Sequence, residues 1–267
     1  MPLFHLVLVA LIQGITEFLP VSSSGHLILL PQLTGLDDQG LVIDVAVHVG
    51  TLGAVILYFW SDVRQVLHGT GRLVRGKVDT QSAFLALCLA VATVPVVLVG
   101  AAMAALDLSE ALRSTAVIGW TMLIFGLVLY WADTTGSQQR AAADWTLRHA
   151  LVMGLWQVLA LIPGTSRSGI TITGGRLLGY ERHDAARLAM LMSIPTIAAS
   201  GVVVALDVVG QADMQAARDG VLAAALAFVA ALLALAVMMR LARRVSFTPY
   251  VIYRVALGCV LLWIAYT

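Results

Sequence analysis

The 267-residue sequence predicts an all-α integral membrane fold: six transmembrane helices plus two re-entrant helical hairpins in an inverted-topology repeat. Three observations lead there. Apolar residues make up 60% of the chain and charged residues 12%, with a mean hydropathy of +0.92. A soluble domain carries about a quarter charged residues, so this chain has too few charges to coat a surface in water. Six apolar stretches reach the ~20 residues that a bilayer crossing needs. Two further apolar regions are broken at their centres by polar clusters, and they resemble each other.

The elements follow in order. Residues 2–32 are apolar but carry Gln13, Glu17, Pro20, Ser22, Ser23, Ser24, Gly25 and His26 at their centre. Broken backbone at membrane depth is tolerated only inside protein or beside a wet cavity. The region therefore reads as helix in, polar turn, helix out. Spans follow at 41–60, 82–106 and 115–132. Residues 146–178 repeat the first pattern, with Pro163, Gly164, Thr165, Ser166, Arg167, Ser168 and Gly169 at their centre, and spans follow at 185–206, 221–239 and 249–266. The chain is one membrane domain, with a first repeat over 1–133 and a second over 144–267.

The two broken segments, LIQGITEFLPVSSSG and LWQVLALIPGTSRSG, align Pro20 with Pro163, Ser23 with Ser166 and Ser24 with Arg167, while Gln13 and Gln157 fall one residue out of step. A hairpin returns to its own side and three spans reverse sides, so the second half sits upside down relative to the first. Charge placement agrees. With the N-terminus outside, the cytoplasmic loops 61–81, 133–148, 176–187 and 240–248 hold twelve Lys or Arg residues, Arg176 among them. The outer loops hold only Arg113 and Arg218, beside acidic Asp37, Asp38, Asp107, Glu110, Asp207, Asp213 and Asp219. That asymmetry is the positive-inside rule.

A net charge of +1 gives no reason to expect a nucleic-acid partner. Cys88 and Cys259 each lie in an apolar run and read as small packing residues, with no disulfide framework or zinc site. The first basic residue is Arg64, so residues 1–32 are expected to belong to the mature fold rather than to a cleaved leader. Trp60, Tyr130, Trp131, Trp145, Tyr250 and Trp263 fit an interfacial aromatic belt. Asp44 and His48, at i and i+4, read as an interfacial pair in preference to a metal site. The glycines of 50–54 and 174–179 read as close-packing or turn residues.

Chemistry concentrates in the two polar turns. A carboxylate at Glu17 costs on the order of 2.5–3.5 kcal/mol to bury in a membrane and needs a reason to be there. Gln13, four residues earlier, shares its helix face; together they could hold a cation or orient a proton-transfer partner. His26 follows three hydroxyls and can serve as general acid, general base or nucleophile. Arg167, among Gly164, Thr165, Ser166, Ser168 and Thr171, makes an oxyanion cradle that suits phosphate. It could also pair with Glu17 when the site is empty.

These motifs resemble those of the bacterial undecaprenyl-pyrophosphate phosphatase, or bacitracin-resistance, family. Gln13-Gly-Ile-Thr-Glu17 fits that family's (E/Q)xxxE segment, with FLPVSSSGH following, and Pro163 through Thr171 fits PGxSRSxxT. The likeness runs through nearly the whole chain, including HVGTLGAVILYFW at 48–60 and AARLAMLMSIP at 185–195. The resemblance implies hydrolysis of the polyprenyl pyrophosphate carrier to its monophosphate, recycling it for cell-wall synthesis in the bacterial inner membrane, with an active site open to the periplasm. It implies a catalytic core of Glu17, Ser23, His26 and Arg167, and a phosphate site lined by Ser22, Ser24, Gly164, Thr165, Ser166, Ser168 and Thr171. A divalent cation, magnesium or calcium, would sit at Glu17 and Gln13; with Gln13 in the variable position, only one carboxylate serves it. A homodimer is compatible with the sequence. An acid-phosphatase-related family shares the Ser-Gly-His element of 24–26, but its Arg-x5-His pattern fails because residue 173 is Thr. The nucleophile is open among Ser23, His26 and water. A lipid-phosphate flippase using the same anion site is the rival reading.

Overall fold

The computed structural model describes residues 2–35, 39–106, 108, 112–208 and 214–267, the side chains of 32–34 and 203–208 aside. Asp37, Asp38, Asp107, Glu110 and Asp213, expected in outer loops, lie outside the described residues. The described residues are all-helical apart from one isolated bridge between Arg140 and Tyr180.

Six helices are long and apolar enough to cross a membrane. They are α3 (Leu41–Tyr58), α5 (Gln81–Ala105), α6 (Thr115–Thr135), α9 (Arg182–Val208), α10 (Met214–Leu241) and α11 (Thr248–Tyr266). Hydroxyl caps just outside the apolar runs set two of their starts: Thr80 accepts from the Ala83 amide and Ser114 from the Val117 amide, each at 3.2 Å. The helices α9 and α10 begin before their expected spans, because polar residues such as Arg182 and Arg218 end a hydropathic run without ending a helix. The stretch 61–81, expected as a loop, contains a further helix, α4 (Trp60–Leu73), packed on α5. There Gly69 lies so close to the Ser82 carbonyl that a Cβ would stand 2.0 Å from its oxygen.

Four shorter helices carry the polar motifs: α1 (Leu3–Thr16), α2 (Ser23–Thr34), α7 (Leu147–Val158) and α8 (Arg167–Leu177). At 1.5 Å per residue none reaches across a ~30 Å hydrocarbon core. Small residues let them pack tightly. A Cβ on Gly14 of α1 would lie 2.7 Å from the Ala227 carbonyl of α10, and one on Gly154 of α7 would lie 2.5 Å from the Ala92 carbonyl of α5. Gly50 brings α3 onto α10 in the same way, against Ala224, as its close-packing reading anticipates.

Several expectations change in the fold. The motif alignment set Ser23 against Ser166. The backbone instead pairs Ser22 with Ser166, the two non-glycine residues with positive φ, at 70° and 69°, among the described residues. In that register Gln13 and Gln157 fall into step, both fully buried. Arg176 is no loop flank: it is fully buried, bonded to Asp133 through Nε at 3.0 Å and to the carbonyls of Asp133, Ser137, Gly136 and Tyr180. Trp145 lies in the core instead of an aromatic belt, whereas Trp60, Trp131 and Trp263 are more than half exposed. Cys88 is buried, but Cys259 is exposed on α11.

Candidate active site

The turn after α1 and the turn before α8 meet through side chains that the sequence set far apart. Arg167 pairs with Glu17, both side chains mostly buried. Glu17 accepts two further hydrogen bonds on its other oxygen, from Gln13 Nε2 at 2.8 Å and Ser23 Oγ at 3.0 Å. The turns are also stitched by neutral groups. The Gly164 amide donates to Ser24 Oγ at 3.1 Å, and Ser168 Oγ donates to the Leu19 carbonyl at 2.9 Å. Because the Ser168 proton goes to Leu19, Ser166 is the donor across the 3.1 Å Ser166–Ser168 contact.

Ser23 and Arg167 are each the first residue of a helix, α2 and α8, following a serine in left-handed conformation. A positive φ at a residue with a side chain is strained, and such strain gathers where a site over-determines the backbone. Here it turns the chain sharply enough to aim Ser23 and Arg167 at the same carboxylate. The Ser166 hydroxyl also caps α8 by accepting from the Gly169 amide at 3.2 Å.

Not every residue expected at a phosphate site faces open space. Gln13, Ser23, Ser24 and Pro163 line a cavity of about 670 Å³. Thr171 lies fully buried, its hydroxyl donating to the Arg167 carbonyl at 2.7 Å. Thr165 is fully buried too, its hydroxyl without a hydrogen-bond partner. Ser22 Oγ is 3.0 Å from Ser24 Oγ. His26 shares no hydrogen bond with Ser23; its Nδ1 meets the Ser22 carbonyl at 2.7 Å and its Nε2 meets the Tyr253 hydroxyl at 2.6 Å.

Three groups at the site were passed over in sequence. His48, discounted with Asp44 as an interfacial pair, stands 3.2 Å from Gln13 Nε2 and lines the cavity with Asp44 and Arg113. Its Nδ1 meets the Asp44 carbonyl at 2.7 Å and so carries the proton, leaving Nε2 to accept from Gln13. Tyr253 and Arg254 on α11 reach the two turns. Arg254 is fully buried and donates to the Thr165 carbonyl at 2.8 Å and the Gly164 carbonyl at 3.2 Å. A lone Tyr-Arg pair in an apolar run carries no local signal of this; the i, i+4 spacing of Asp44 and His48, matching that of Gln13 and Glu17, could have raised His48.

Comparison with known proteins bears on what this constellation belongs to. The family profile of the bacitracin resistance protein BacA matches residues 6–260. The chain belongs to the BacA family. Curated relatives agree over full length: a protein of Ruegeria pomeroyi named undecaprenyl-diphosphatase is 70% identical over 267 residues, covering 100% of both chains. A protein of the same name from Roseobacter denitrificans is also 70% identical over 100% of both chains, and one from Maricaulis maris is 48% identical over 98% of both. With its six apolar helices, this BacA-family chain is a multi-pass membrane protein. Both polar turns and all of the contacts above lie inside the matched region.

Proposed function

We propose that the chain hydrolyses undecaprenyl diphosphate to the monophosphate and inorganic phosphate in the bacterial cytoplasmic membrane. The undecaprenyl-diphosphatase name of its close relatives supports this reading, and the Glu17–Ser23–Arg167 constellation is the observation that carries its chemistry. Phosphoryl transfer is mainly positioning and charge stabilisation. Arg167 leaves Glu17 to hold the diphosphate, which frees the carboxylate at the moment substrate arrives. Ser23 Oγ attacks the terminal phosphorus while Glu17, already bonded to that hydroxyl at 3.0 Å, takes its proton. The anhydride P–O bond breaks and lipid monophosphate leaves. Water then hydrolyses the phosphoserine.

One carboxylate and one unpartnered amide oxygen are what the site offers a divalent cation. Gln13 donates both amide protons, to Glu17 and His48, and its Oε1 is buried without a partner. Glu17 and Gln13 would hold magnesium or calcium, with oxygens of the diphosphate completing the shell, as magnesium favours. Bound there, the ion would neutralise charge on the phosphate. Among the described residues no cluster of three acidic, His or Cys side chains offers a closed cage.

The same proposal includes two re-entrant hairpins, α1–α2 and α7–α8, as halves of an inverted repeat. The helices' short length, the matching positive φ of Ser22 and Ser166, and the reciprocal packing of α1 on α10 and α7 on α5 support it. The first hairpin enters from the periplasm, and the site opens to that side.

Rapid acid quench of purified enzyme with terminally labelled undecaprenyl diphosphate is the test. Label bound through oxygen to Ser23, absent in Ser23→Ala, is expected. Phosphate release in detergent with no phosphoenzyme at any time would sink the serine mechanism, and no release at all would sink the hydrolase in favour of a flippase.

A further inference from the structure

The last helix touches both polar turns with two consecutive residues. His26 gives the Ser22 carbonyl its Nδ1 proton at 2.7 Å, because a carbonyl only accepts. In the neutral ring, Nε2 is then a bare acceptor, and the Tyr253 hydroxyl donates to it at 2.6 Å. The two rings lie within 6° of parallel with centroids 5.5 Å apart. The imidazole is thereby fixed in tautomer and in direction by a group from α11.

Arg254 explains why that group stays in place. Its guanidinium is fully buried and, among the described residues, bonds no carboxylate. It donates instead to the carbonyls of Thr165, Gly164 and Met122, the last at 3.3 Å. A buried cation held only by carbonyls is a costly element, several kcal/mol before compensation. Packing alone did not require it, since an apolar side chain would fill the same space more cheaply. What the guanidinium supplies is direction: it ties α11 to the second turn, and the Gly164 amide ties that turn to Ser24 of the first.

We infer that Tyr253 is a positioning residue for His26, fixing the tautomer and direction of its ring beside the first turn, and that Arg254 fixes the helix that presents it. The inference rests on the phosphatase reading proposed above and on His26 belonging to the catalytic core that the family resemblance implies. Tyr253 is 45% exposed, so Tyr253→Phe removes one oxygen without opening the core. Steady-state phosphate release from undecaprenyl diphosphate in detergent is measured for wild type, Tyr253→Phe and His26→Ala, with the thermal unfolding midpoint of each. For Tyr253→Phe, kcat is expected to fall about tenfold to a hundredfold, the scale of a misaimed catalytic group, with KM and the unfolding midpoint unchanged. Wild-type kcat in Tyr253→Phe beside an inactive His26→Ala overturns the inference alone. A raised KM at unchanged kcat also overturns it, assigning Tyr253 to lipid binding. Full activity in His26→Ala brings down the site reading on which it rests.

Discussion

At the scale of single residues, one carboxylate organises the site. Glu17 gathers a guanidinium, an amide and a hydroxyl, all from side chains that the backbone aims at it. A carboxylate that is mostly buried cannot lose its cation freely: removing one partner of a buried pair typically costs about 3–5 kcal/mol. Arg167→Ala would therefore weaken the fold as well as the chemistry and is a poor probe. Arg167→Lys keeps the charge and loses the planar fork that grips phosphate. It is expected to retain the wild-type unfolding midpoint while kcat/KM for undecaprenyl diphosphate drops about a hundredfold, the effect of one lost oxyanion donor. Near-normal kcat/KM would mean that Arg167 serves the ion pair and not the substrate. Glu17, Ser23 and Arg167 were legible in sequence as candidates, and the structure brings them together, because ionisable or hydroxyl residues clustered in apolar chain need partners. Tyr253 and Arg254 were not, since they lie in an apolar helix far along the chain from either turn, and His48 pairs in sequence with Asp44 rather than with either turn.

At the scale of elements, the short helices owe their positions to small residues rather than to polar bonds. The α1 helix lies on α10 because Gly14 meets the Ala227 carbonyl and the Ala230 side chain with no room for a Cβ. Gly14→Val would force two backbones apart next to Gln13, the neighbour that reaches Glu17 and His48. Overpacking of this kind costs about 1–3 kcal/mol. A lowered unfolding midpoint in detergent, together with reduced phosphate release, is the expected outcome; an unchanged midpoint would show that α1 is loosely seated. Hydropathy placed the six long helices within a few residues but passed over α4, because its alternating polar and apolar positions fail a test for membrane spans while suiting a surface helix. The one-residue register error between the two turns has a similar origin. Proline was aligned with proline, yet the turns are matched by backbone conformation at Ser22 and Ser166.

At the scale of the whole molecule, the site is built from both ends of the chain: Glu17 and Ser23 from the first turn, Arg167 from the second, Tyr253 and Arg254 from the last helix. Access follows from which side the first turn faces. Ser24 lines the cavity, so Ser24→Cys, in a chain whose exposed Cys259 is replaced by Ala, reports on it. Labelling by a membrane-impermeant maleimide added outside spheroplasts is expected, blocked by prior addition of substrate; labelling only from inverted vesicles would place the opening on the cytoplasmic face. The sequence by itself determined that the chain lives in a membrane, which six stretches are long and apolar enough to cross it, and which two segments gather ionisable and hydroxyl residues within apolar chain. Those facts rest on solvation, and the cost of burying each residue type in hydrocarbon is read locally along the chain. Only the tertiary structure decided that Glu17 meets Arg167 and Ser23 at once, that His26 turns to Tyr253, and that a buried arginine near the C-terminus ties the second turn. Those facts rest on directional bonds between residues up to 227 positions apart, and no local pattern encodes where such bonds close.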